Sequence, residues 1–71
     1  MKVQVITQEF EETKLVDQLV NVSYSLVDST FYSVSDTVYY VSEFEIKDGC
    51  TLLPLYNDLD KLNISYQTLI S

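Results

Sequence analysis

Glu43 and Glu45 lie two residues apart in the stretch VSDTVYYVSEFEIKDG, Val34 to Gly49. On an extended strand, residues so spaced share a face at about 7 Å. Two carboxylates at that separation can divide acid and base work or hold a divalent cation. Either task needs further groups. No third oxygen ligand follows at a useful spacing, and Lys47-Asp48-Gly49 puts a lysine where a calcium loop needs oxygen. Phe44 and Ile46 alternate with the pair, so the pattern also describes a strand with one covered and one solvated face.

The remaining chemical candidates are weaker. Asp58 and Asp60 flank Leu59 in a stretch of helical spacing, where residues two apart do not face each other. Cys50 is the single cysteine, and a thiolate nucleophile needs a base or cation beside it. The chain has no histidine, and Lys47 is the nearest positive charge, so Cys50 reads as a small, partly buried hydrophobe. The serines lack an activating base for the same reason. No catalytic, cofactor-binding or metal-ligating set is assigned, and the chain is not expected to be an enzyme.

Charge narrows the possibilities further. Eleven acidic residues stand against four Lys+Arg, all of them lysine, giving a net charge of −7. Nucleic-acid binding needs cations on the phosphates, and arginine is the usual base reader. Neither nucleic acid nor an anionic membrane is an expected partner. A lone cysteine forms no internal disulfide, which fits a reducing compartment. No apolar run reaches signal-peptide or membrane-span length. Asn21-Val22-Ser23 and Asn63-Ile64-Ser65 are therefore read as chance matches to the glycosylation pattern. The expected location is cytoplasmic, the host cytoplasm if the chain is phage-encoded.

The elements that must carry these residues follow from periodicity. At 71 residues the chain is expected to be a single compact domain, residues 1–71, burying about 60% of the surface its unfolded form exposes. Lys2 to Glu9 alternates as a first strand. From Glu11 to Val27, Leu15, Leu19, Val22 and Leu26 follow i, i+4, i+7 and i+11, which predicts a helix with acids at its start. Val20, Val22, Tyr24 and Leu26 also alternate, so a strand is the competing reading there. Thr30 to Val34, a turn at Ser35-Asp36, and Thr37 to Ile46 predict a hairpin. Leu52 to Leu62 returns to helical spacing with Pro54 in its first turn, and Ile64 to Ile70 alternates as a last strand.

The order β-α-β-β-α-β resembles the ferredoxin-like split βαβ fold, an α+β domain. That resemblance implies a four-stranded antiparallel sheet with both helices on one face. The alternative is a mostly antiparallel β protein with one C-terminal helix. The resemblance concerns element order alone, and that fold hosts many unrelated functions.

On such a sheet Val38, Tyr40, Ser42, Phe44 and Ile46 would face the helices. Thr37, Tyr39, Val41, Glu43 and Glu45 would lie on the open face, with Ser33 or Tyr32 and Tyr66 or Gln67 beside them. Amphipathic aromatics rimmed by charge have the anatomy of a protein interface. The expected partner-binding residues are Glu9, Glu11, Glu12, Asp17, Tyr39, Val41, Glu43, Glu45 and Asp48. The expected function is a small acidic protein-binding module that occupies a basic nucleic-acid-binding surface of a partner enzyme. In size and charge it is similar to phage or mobile-element inhibitors, DNA mimics and anti-CRISPR proteins among them. The alternative is a structural subunit that forms a homodimer or assembles through its open sheet face.

Overall fold

The computed structural model describes every residue from Met1 to Ser71. Val3 and Val5 turn inward and Lys2 and Gln4 outward along strand β1, Lys2–Thr7. Helix α1, Phe10–Asp17, follows directly, with Glu11 and Glu12 in its first turn. Strands β2, Tyr24–Val34, and β3, Thr37–Ile46, form the hairpin. Helix α2, Leu53–Lys61, has proline in its first turn, and β4, Gln67–Ile70, ends the fold.

The sheet is antiparallel throughout, in the order β2-β3-β1-β4. It is the four-stranded sheet with two helices that the element order implies. Val3, Val5, Tyr24, Phe44 and Ile46 on one face pack with Val16 of α1 and with Leu55 and Leu59 of α2. Each such side chain contributes about 1.5–3 kcal/mol on burial. Cys50 is half-buried against this cluster.

The expected long first helix is half as long as its periodicity suggests. Helix α1 stops at Asp17, and strand β2 begins at Tyr24, within the stretch read as helix. The β-branched residues weaken a helix beyond Asp17, and tertiary pairing decides the rest. Tyr24 and Leu26 pair across the ladder with Ile46 and Phe44, which places the Tyr24 ring in the core. Val20 and Val22, assigned to the helix's apolar side, are 91% and 86% exposed. Between them Asn21 turns the chain by accepting the Ser23 N–H on Oδ1 at 2.9 Å. The strand reading of Tyr24 and Leu26 is thus correct, and a bulge between Leu26 and Asp28 resets the register.

The hairpin outgrows the rest of the sheet. Strand β1 pairs with β3 only as far as Thr7 opposite Tyr40. Beyond that point Tyr32–Val34 and Thr37–Tyr39 run on as a two-stranded ribbon. This gives the molecule its long dimension, 39 Å against 24 and 15. Ser35 and Asp36 close the ribbon with φ of 50° and 68°, the left-handed pair of a two-residue type I′ turn.

Candidate functional site

Ladder register fixes which side chains share the open face. Tyr39 stands opposite Tyr32, Val41 opposite Thr30 and Ile6, and Glu43 opposite Asp28 and Gln4. Gln4 and Ile6 in turn face Leu69 and Gln67 of β4. Tyr39, Val41, Glu43 and Glu45 therefore all lie on the face away from the helices, as the alternation predicts. The uncertain neighbours resolve to Tyr32 and Gln67.

The centre of this face differs from expectation. Val41 is only 7% exposed, because its cross-strand neighbours Ile6 and Thr30 close over it. It supports the face from within. The presented apolar surface is the stacked pair Tyr32 and Tyr39, ring centroids 5.4 Å apart, together with Leu69.

Beside Tyr39 the face opens into a cleft of about 310 Å³, lined by Ile6, Glu9, Glu12, Tyr39, Tyr66 and Gln67 among others. Helix α1 sets its acidic rim. Glu9 occupies the N-cap position, and its carbonyl accepts the Thr13 N–H at 3.0 Å and the Thr13 hydroxyl at 3.2 Å. Thr7 donates in turn to Thr13, so a buried hydroxyl pair fixes helix to strand at the cleft wall. Tyr66 is held by donating to Asp60 Oδ1 at 2.8 Å. Burial, and then that bond to a carboxylate, raise its phenol above the ordinary value.

A second acidic group lies at the other end of the face, about 20 Å along the strand from Tyr39 to Glu45 at ordinary strand rise. Here Asp28 joins Glu43 and Glu45, a contributor that the sequence pattern does not reveal because the bulge brings it into register. Glu43 accepts from Gln4 at 3.4 Å and lies 3.9 Å from the Lys2 ammonium. Glu45 has an enclosed Oε2 with no hydrogen-bond partner. Asp48 is exposed in the turn after β3.

Two expected contributors are placed elsewhere. Glu11 points to solvent on α1 and pairs with Lys14 at 3.4 Å. Asp17 lies on the helix side, where Ser42 donates to Oδ1 at 2.6 Å and Ser29 to Oδ2 at 3.0 Å. Ser29 and Ser42 are themselves ladder partners, so Asp17 fastens the end of α1 to the hairpin. Its charge serves the fold, and the spacing that put it on a helix surface carried no sign of the serines.

No group of three or more His, Cys, Asp or Glu side chains is arranged to hold a metal ion. No helix is long and apolar enough to cross a membrane. Comparison with protein-family models, curated proteins and solved structures finds no match to this chain.

Proposed function

We propose that this chain is a protein-binding module that lays the open face of its sheet on a basic surface of its partner. One observation carries the reading: the open face holds a tyrosine pair toward its hairpin end, with the cleft carboxylates beside that pair and a second carboxylate group about 20 Å along the strand. Tyr32 and Tyr39 offer amphipathic contact area, with Glu9 and Glu12 on one side and Asp28, Glu43 and Glu45 on the other. Aromatic centres with charged rims suit protein recognition, and a field of one sign accelerates encounter with the opposite sign. Lys2 is the cation on this side, and it is already engaged by Glu43.

The partner class that fits is an enzyme with a nucleic-acid-binding groove, where carboxylates take the places of phosphates. The chain then acts as an inhibitor of the DNA-mimic or anti-CRISPR kind, made by a phage or mobile element and working in the host cytoplasm. Face-to-face homodimerisation fits less well, because two copies of this face would set carboxylates against carboxylates.

The experiment is a titration of the purified chain into nucleic-acid-binding reactions of candidate nucleases, polymerases and repressors from the host. The reading expects displacement of nucleic acid from at least one of them, with an inhibition constant that weakens steeply as salt rises. Absence of displacement from every basic partner, or a salt-independent effect, overturns it.

A further inference from the structure

Strand β2 lies at the edge of the sheet, and its distal half lies at the edge of a bare two-stranded ribbon. Edge strands in monomers are usually blunted by lysine, proline or inward charge. From Ser29 to Val34 this strand reads STFYSV and carries none of these. Phe31 is 67% exposed on the helix side, while Tyr32 and Val34 are exposed on the open side.

The two-residue turn fixes which backbone groups are free. Val34 and Thr37 close the hairpin as a hydrogen-bonded pair, so Tyr32, Thr30 and Asp28 also point their amides at β3. Ser29, Phe31 and Ser33 therefore point theirs outward. The outward amide of Ser29 is already taken, donating to Asp28 Oδ1 at 2.9 Å. Phe31 and Ser33 keep free donors, and Ser29, Phe31 and Ser33 keep free carbonyls.

We propose that the occupant of this edge is a second copy of the chain, paired antiparallel about a two-fold axis at Phe31. This register sets Phe31 against Phe31 of the second copy, Ser33 against Ser29, Thr30 against Tyr32 and Asp28 against Val34. Every opposed pair lies on the same face, and every outward group meets an outward group. The Ser33 N–H reaches the Ser29 carbonyl that Asp28 leaves free. A slip by two residues toward Thr30 sets Phe31 against the taken Ser29 amide, and a slip the other way sets Asp28 against Asp36 of the second copy.

Although each chain carries a net charge of −7, the seam itself sets no like charges against each other. Between Tyr24 and Tyr40 the only ionised side chains are Asp28 and Asp36, and the register opposes neither to a like charge. The Phe31 pair would extend the aromatic row of Phe31, Tyr40 and Phe10, whose neighbouring centroids are 6.3 and 5.8 Å apart. Two four-stranded sheets then join into one, with helices on one side and both open faces on the other. The proposed partner-binding face stays free and is doubled.

Sedimentation of the full chain across the micromolar range tests this, with hydrogen exchange read at Phe31 and Ser33. The expected result is a concentration-dependent dimer in which both amides are protected, and lose protection on dilution. Phe31→Lys, at an exposed position, should give a folded monomer. Ser33→Pro removes an outward N–H without touching the β2–β3 ladder and should weaken the dimer at least tenfold. A chain that stays monomeric at every concentration overturns the proposal. So does a dimer that persists in both variants, or one that Tyr39→Ala abolishes while the edge variants leave it intact.

Discussion

The Tyr24 hydroxyl donates to Asp58 Oδ2 at 2.5 Å, joining the first residue of β2 to the middle of α2. Asn21 Nδ2 donates to the same oxygen at 3.2 Å, so the turn before β2 is anchored there too. The bond to Tyr24, helped by Asn21 and Lys61, holds the Asp58 carboxyl below its ordinary value. Burial, and then the same bond, push the Tyr24 phenol well above its own.

Both shifts make stability depend on pH, with opposite signs. The ionised form of Asp58 is favoured in the folded state. Its contribution is present above the ordinary value of 3.8 and is lost as pH falls through the lower folded value. The neutral phenol of Tyr24 is favoured, so its contribution is present below the ordinary value of 10.0 and is lost as pH rises beyond it. Tyr24→Phe should cost about 2 kcal/mol at neutral pH. It should also flatten both limbs of the curve of unfolding free energy against pH, measured by urea denaturation. Unchanged limbs in the variant would contradict this assignment.

Asp17 and the cleft acids should separate cleanly in stability measurements. Asp17→Ala leaves the buried Ser42 hydroxyl without a partner and should lower stability by about 1–3 kcal/mol. Glu12→Gln, at the cleft rim, should change it by less than about 0.5 kcal/mol. Equal effects in thermal melts would refute the division between structural and presenting carboxylates.

Glu43 and Glu45 should respond in opposite senses to neutralisation. Glu43 has Gln4 and Lys2 as partners, whereas Glu45 buries an oxygen with none. Glu45→Gln removes the charge from an enclosed, unpartnered oxygen and should raise stability by up to about 1 kcal/mol. Glu43→Gln should not raise it. A melting temperature lowered by Glu45→Gln would show that its carboxylate is compensated in solution.

The hairpin turn puts serine and aspartate where a type I′ turn prefers asparagine and glycine. Ser35→Asn with Asp36→Gly supplies the favoured pair for a type I′ turn at φ of 50° and 68°. The double variant should gain about 0.4–1 kcal/mol, read from the denaturation midpoint. A loss would mean that the Ser35 or Asp36 side chain makes a contact that outweighs the backbone gain.

Much of this architecture is legible in the residues themselves. Alternation in Thr37–Ile46 assigns both faces of β3 correctly, because each face has its own solvent and period two leaves no ambiguity. The span from Gln18 to Val27 is misread, because a few apolar residues there satisfy both periods at once. Only long-range facts decide it: the Tyr24 ring in the core and the Asn21 turn anchored on Asp58. The cleft is half legible. Glu9, Glu12 and Tyr39 stand out by charge and alternation, and the last strand offers Tyr66 or Gln67, but that both line the cleft follows only from the pairing of β4 with β1.

Paired affinity capture decides whether the open face binds a protein with a basic surface. Immobilised wild-type chain, a Tyr39→Ala and Glu12→Gln face variant, and a Val20→Ser control should be exposed to the same host lysate. The expected result is a nucleic-acid-binding protein retained by wild type and control, released by salt and by competing nucleic acid, and lost from the face variant. Retention that ignores salt and survives the face substitutions, or no specific retention at all, would contradict it.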